Sequence, residues 1–405
     1  TLTLTLTLTL TLTLTLTRRT LTMSTLLTET ALYEFLEQFE ESKISQSDRL
    51  PISTQCCAIN YTDTYRKLMD CFRGVLARNE HSERTHLLTA QVIDANAANY
   101  TAWCFRRKTL KAGFGGGNLN EENVTRELEF TEEVGGENPK NYQVWFHRRA
   151  VILMLPTVDL ISSAIIRTEL QYISSVLSDD AKNYHAWSHR QWLVGDFWEA
   201  IDKSDGGDLI ADEFKVVEGL LDDDWRNNSA WNHRWFLWNS IKKGGQEGEG
   251  DRLSVEAYYA MDIIKRDKHN ESPFKYLRGI LVKIWTGVVT GKEELGKEIA
   301  DFISTLLVDT TMPPPPPPPP FNETTSNTAA APCAASGAGA DFNVDADHTA
   351  LHSIHALSLL VDFAEQEENL DKRGELCTTL TVVDGVRRKY WVWRSEQPIG
   401  ADKKK

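Results

Sequence analysis

Lys140, Tyr142 and Gln143 lie within four residues of one another, and 42 residues later Lys182, Tyr184 and His185 repeat the arrangement. An ammonium, a phenol and a further polar group this closely spaced suit an anion if a helix begins among them. The first N–H groups of a helix lack intrahelical partners, and its N-terminus carries partial positive charge. Each lysine alone also fits a plain exposed cation at a helix end, where the dipole opposes it by a few tenths of a kcal/mol. Two lysines in register, each beside a tyrosine, favour the anion-binding reading.

The frame that positions these groups is a repeat. Aligned on an aromatic, five copies fall at Trp103, Trp145, Trp187, Trp231 and Phe274, at steps of 42, 42, 44 and 43 residues. Four residues before each aromatic is Asn99, Asn141, Asn183, Asn227 or Asn270, and seven before it is Asn96, Asn138, Asp180, Asp224 or Asp267. Arg106, Arg148, Arg190 and Arg234 follow the first four by three residues, whereas the fifth copy shifts its arginine to Arg278. The Asn/Asp column is expected to cap the helix, with Pro139 first and Lys140 and Lys182 second inside it. Asn141, Trp145 and Arg148, at spacings of four and three, share one face and are expected to join neighbouring repeats. Function then belongs to the positions that change between copies. Five before the aromatic these are Ala98, Lys140, Lys182, Arg226 and His269; three before it, Tyr100, Tyr142, Tyr184, Asn228 and Glu271; two before it, Thr101, Gln143, His185, Ser229 and Ser272.

A formal charge of −14 speaks against a nucleic-acid partner, because phosphate contacts need clustered Lys and Arg. The six cysteines form no C-x-x-C pair and no metal-ligand spacing with histidine, so no metal site is expected in this chain. Dispersed cysteines fit a reducing compartment, and no apolar run reaches 18 residues. The expectation is a cytoplasmic protein with no transmembrane segment.

Along the chain, residues 1–22 are a low-complexity tract of alternating Thr and Leu ending in a basic pair and a short Thr-Leu stretch; the expectation is that Met23 starts the functional protein and that this tract is a translated simple repeat or an upstream artefact. Residues 23–59 carry one amphipathic stretch, Leu32 to Phe39. Residues 60–307 form the helical-hairpin repeat domain, two helices in about 43 residues per copy. Gly113–Gly117 and Gly244–Asp251 are expected hairpin connections. Residues 308–349 are a Pro-rich linker containing Pro313–Pro320, read as a semi-rigid spacer. Residues 350–397 resume helical character as a terminal hairpin, and 398–405 are a tail.

The segments from Lys140 to Arg149, from Asp180 to Trp192 and from Arg226 to Arg234 resemble the repeats of the protein prenyltransferase α subunit, most closely the subunit shared by farnesyltransferase and geranylgeranyltransferase type I. The likeness runs from about Tyr61 to Leu306 and resumes weakly through Arg387–Trp391. It implies an all-α fold: a right-handed α-α superhelix of helical hairpins, crescent-shaped, wrapped around a separate β subunit. That partner would hold the catalytic Zn2+ and the isoprenoid cavity, with Mg2+ serving the farnesyl reaction. The complex would transfer an isoprenoid from its diphosphate to the Cys of C-terminal CaaX motifs. On this resemblance Lys140, Tyr184 and His185 attend the diphosphate, Gln143 binds the peptide carboxylate, Tyr142 and Asn183 belong to the surrounding shell, and Ala98 and Tyr100 border the pocket for the last peptide residue. Pro273, beside Phe274, departs from the pattern and is expected to disturb the first turn of its helix. Two other readings are the α subunit of the Rab geranylgeranyltransferase and a non-catalytic helical-repeat scaffold. Gln143 with the Tyr184–His185 pair argues against the first, and the Lys-Asn-Tyr copies against the second.

Overall fold

The computed structural model describes residues 27–45, 59–113, 119–155, 163–205, 208–239, 249–307 and 353–398. The Thr-Leu tract, Pro313–Pro320 and most of both Gly-rich connections lie outside them. The described residues fold into sixteen α-helices with no strand among them. In chain order these are α1 (Glu29–Leu36), α2 (Asp63–Arg78), α3 (Glu83–Ala95), α4 (Tyr100–Lys111), α5 (Glu121–Glu137), α6 (Tyr142–Ile152), α7 (Ser163–Asp179) and α8 (Tyr184–Asp205). There follow α9 (Leu209–Asp223), α10 (Asn228–Asn239), α11 (Glu249–Arg266), α12 (Glu271–Trp285), α13 (Glu293–Thr305), α14 (Ile354–Gln366), α15 (Leu370–Val383) and α16 (Arg388–Glu396). The chain divides into two compact units, 1–213 and 214–405, within α9 and so inside the repeat region.

The aromatic columns fall on α4, α6, α8, α10 and α12. In the first unit α3 packs on α4, α5 on α6 and α7 on α8, and the motif helices α4, α6 and α8 pack in succession; in the second, α11 packs on α12 and α10 on α12. Trp103, Trp145, Trp187, Trp231 and Phe274 are all buried.

The helix starts differ from expectation. The N-caps are the Asn residues four before the aromatic: Asn99, Asn141 and Asn270 cap α4, α6 and α12 with their side-chain oxygens. Asn96 and Asn138 instead close the preceding helices α3 and α5. The Asn/Asp column opens a tight turn between the two helices of a hairpin. Its side chain accepts the N–H two residues on, as at Asn96 (3.0 Å), Asp180 (3.2 Å), Asp224 (2.9 Å) and Asp267 (3.1 Å). The misassignment has a physical cause: an Asx side chain accepts the N–H two residues on in a turn as readily as it caps a helix, and at Asn138 the following Pro139 suits both settings. Pro139, Lys140 and Lys182 therefore lie in turns, outside the helices.

Pro273 does not disturb its helix. It is the third residue of α12, where the N–H that proline lacks has no intrahelical partner in any case. The acidic stretch Glu249–Asp251, expected within a connection, begins α11. The terminal segment holds three helices rather than a hairpin: α14, α15 and α16 enclose Leu357, Val361, Cys377, Leu380 and Trp391.

Candidate functional site at the helix starts

Each turn is held from two sides. Pro139 O accepts from Trp145 Nε1 of its own repeat at 2.8 Å and from Asn183 Nδ2 of the next at 3.2 Å. Ala97 O likewise accepts from Trp103 Nε1 (2.8 Å) and Asn141 Nδ2 (2.9 Å). One asparagine thus caps its own helix through oxygen and fixes the preceding turn through nitrogen. This makes the turns a rigid base for the variable side chains between them.

Behind the turns, each motif arginine joins three helices. Arg148 on α6 donates to Leu128 O (2.8 Å) and Thr131 Oγ1 (3.0 Å) on α5, and through Nε to Glu169 Oε1 (2.8 Å) on α7. Arg106 pairs in the same way with Glu127, Arg190 with Glu213 and Arg234 with Glu256. Arg106, Arg148 and Arg234 also lie over the rings of Phe130, Tyr172 and Tyr259 at 3.9, 3.9 and 3.8 Å from their centroids. Glu127 and Glu169 take a further contact from His147 (2.7 Å) and His189 (2.8 Å). Burial alone would raise the Glu169 carboxyl, but the Arg148 guanidinium and the hydrogen bonds from His189 and Arg148 hold it at about 2. These are structural groups, fully engaged.

The Glu column was missed in the sequence. It recurs at the repeat period, and in three copies an aromatic follows three residues on, as in Glu127–Phe130, Glu169–Tyr172 and Glu256–Tyr259. That pattern was the available signal.

In the first three repeats the tyrosines of the variable columns stand outside this packing. Tyr100, Tyr142 and Tyr184 are the first residues of α4, α6 and α8 and are 70%, 69% and 73% exposed. A cleft of about 510 Å³ is lined by Ala98, Tyr100, Pro139, Lys140, Tyr142 and Gln143, among others. The Tyr142 ring meets His185 edge-on at 4.2 Å, and Tyr184 lies 5.6 Å from the same imidazole. Partial burial lowers the His185 pKa, so the ring is neutral near pH 7 and has one N–H to donate. Lys140 Nζ lies 3.1 Å from Asp180 Oδ2. Of the residues singled out in the sequence, Ala98, Tyr100, Lys140, Tyr142 and Gln143 share the cleft, and Tyr184 and His185 adjoin it through Tyr142. Asn183 stands apart: it is 2% exposed and its side chain is committed to the helix cap and Pro139 O. Among the described residues no group of three or more His, Cys, Asp or Glu side chains could hold a metal ion. No described helix is long and apolar enough to cross a membrane.

Fold and site together define a protein of tandem α-helical hairpins whose motif-helix starts present an exposed polar row. Residues 83–113, 124–155, 166–197 and 210–241 match the protein prenyltransferase alpha subunit repeat. Four of the five aromatic-aligned copies thus match that repeat. Relatives named protein farnesyltransferase/geranylgeranyltransferase type-1 subunit alpha include that of Pisum sativum, 46% identical over 54 residues, which are 13% of this chain and 16% of the relative. Those of Arabidopsis thaliana (39% over 74 residues, 18% and 21%) and Candida albicans (32% over 97 residues, 23% and 30%) are similar. The chain thus aligns with less than a third of the length of these relatives. Candida albicans protein geranylgeranyltransferase-I complexed with GGPP has a similar fold: the TM-score is 0.58 at 24% identity, over 88% of this chain and 99% of that one.

Proposed function

We propose that the chain is the α subunit of a heterodimeric, cytosolic protein farnesyltransferase/geranylgeranyltransferase type I. The observation that carries this reading is the row of exposed Lys140, Tyr142 and Tyr184 with half-buried Gln143 and His185, on turns and helix starts whose stability rests on other residues. A scaffold of hairpins needs the buried Trp, Arg and Glu columns but none of this row.

In this reading Lys140 faces the diphosphate of an isoprenoid substrate. As the prenyl carbon departs, its C–O bond breaks and the electron pair stays on the diphosphate oxygen, while the CaaX thiolate sulfur forms the new C–S bond. The growing charge on oxygen is stabilised by a positioned ammonium. The Tyr184 hydroxyl and a His185 N–H supply hydrogen bonds to the same group. Gln143, at the next helix start back, donates its amide to the terminal carboxylate of the peptide. A zinc ion held by the β subunit would keep the thiol ionised near neutral pH. The isoprenoid cavity is likewise assigned to the β subunit, and Mg2+ would serve the farnesyl reaction.

The test is expression of this chain alone and together with a farnesyltransferase-type β subunit, followed by prenyl transfer to a CaaX peptide. Transfer is expected only from the complex, and only with zinc. Turnover by the lone chain, or none by the complex with either farnesyl or geranylgeranyl diphosphate, overturns the reading.

A further inference from the structure

Lys140 and Asp180 occupy successive turns, and their contact recurs elsewhere at the same register. The cation five residues before one aromatic meets the acid seven residues before the next. Lys140 Nζ is 3.1 Å from Asp180 Oδ2, and Arg226 Nη2 is 2.6 Å from Asp267 Oδ2. Two occurrences at one register make the pairing a property of the repeat geometry. In the first repeat the same positions hold Ala98 and Asn138, which carry no charge.

Asp180 serves through two different atoms. Its Oδ1 accepts the Lys182 N–H at 3.2 Å and closes the turn, while Oδ2 holds the Lys140 ammonium. Asparagine performs the first task at Asn96, which accepts the Ala98 N–H at 3.0 Å. The turn therefore needs the carbonyl-type oxygen and not the negative charge. The charge has a different consequence: it draws an ammonium from the second repeat to the turn that leads into α8, whose first residues are Tyr184 and His185.

We infer that Asp180 is a positioning residue that orients Lys140 toward the α8 start, so that one diphosphate meets groups from two repeats already assembled. The inference rests on the proposed role of Lys140. Asp180 does not itself touch the substrate, and its own charge repels a diphosphate. Removing that charge frees the ammonium and removes a repulsion together. Diphosphate affinity should therefore hold or rise while the chemical step slows, a split that general damage to the fold would not produce.

The experiment uses the complex with its β subunit and compares Asp180→Asn, Asp180→Glu, Lys140→Ala and the double variant Asp180→Asn/Lys140→Ala. Single-turnover transfer and isoprenoid diphosphate affinity are measured for each. Asp180→Asn is expected to slow transfer by about three- to fivefold, the scale of an exposed ion pair, without loss of affinity. In the Lys140→Ala background it should change nothing, and Asp180→Glu should keep most of the rate. An unchanged rate for Asp180→Asn, equal slowing in both backgrounds, or slowing matched by weaker diphosphate binding overturns the positioning role while Lys140 keeps its own. A Lys140→Ala variant as fast as the parent overturns both.

Discussion

Two ion pairs anchored in the same repeat are built for opposite purposes. Arg148 and Glu169 have side chains 2% and 1% exposed and sit among further hydrogen bonds and an aromatic ring, whereas Lys140 and Asp180 are 76% and 34% exposed. A buried pair cannot lose one member without stranding the other in a medium that solvates charge poorly, while an exposed pair exchanges its partner for water at little cost. The difference separates the residues that make the repeat from those the repeat displays.

The largest expected effect breaks the buried member of this comparison. Arg148→Ala leaves Glu169 without its guanidinium and should destabilise the fold by about 3–5 kcal/mol. Urea denaturation of the protein measures it; a loss below about 1 kcal/mol would put the pair in the exposed class. Replacing both partners, Arg148→Met with Glu169→Leu, should recover most of the loss, because well-packed apolar groups can stand in for a buried ion pair.

Acid probes the same network without mutation. The Glu169 carboxyl is held at about 2, below its ordinary 4.5, so its contribution is complete above pH 4.5 and is lost as pH falls toward 2. His86 is pushed from 6.5 to about 4 by burial and then by the Arg106 guanidinium, despite Glu127. A lowered histidine pKa also means that the unfolded chain binds more protons, so stability should decline as pH drops from 6.5 toward 4. Denaturation midpoints across pH 7 to 3 check this, and a flat profile between 6.5 and 4 would contradict it. The Lys140→Ala variant should trace the parent curve.

What the sequence made legible follows the same division. The period, the Trp and Arg columns and the hairpin size could be read because large or charged side chains recur at one spacing. Asn96 and Asn138 were misread as caps because a short Asx side chain accepts a nearby backbone N–H in a turn as well as at a helix entry; only the backbone distinguishes them. The Glu partners were hidden among 58 acidic residues, on a different helix from the arginines they serve. Lys140, Tyr142, Gln143, Tyr184 and His185 could be picked out as departures from a fixed frame. Asp180 as the partner of Lys140 could not, since that contact depends on how successive turns stack.

The exposed pair is probed by Lys140→Ala, expected to slow the chemical step by about 2–3 kcal/mol, the loss of one preorganised donor. The denaturation midpoint should stay where it was, since the Lys140 ammonium lies outside the packed interior. Single-turnover transfer and a melt on the same preparation check the two halves together. A large drop in both would mean that Lys140 helps to hold the turn and would merge the two classes.

The smallest effect is the most discriminating. Lys182 occupies the same turn position one repeat later, is exposed, and immediately precedes the cap and first residue of α8. Lys182→Ala removes the same unit of charge from the same surface as Lys140→Ala. A diphosphate attracted only by the general field would feel both losses alike, softened by salt screening over about 8 Å. A diphosphate in direct contact with the Lys140 ammonium would feel the first strongly and the second by less than about twofold, as for other exposed charges. Lys182 also stands next to Asn183, whose amide holds Pro139 O, so an unexpectedly large effect has to be separated from a shifted turn; an unchanged denaturation midpoint makes that separation. Comparable rate losses for the two variants would return Lys140 to the class of ordinary surface cations, and a ratio above about tenfold would fix the diphosphate beside it.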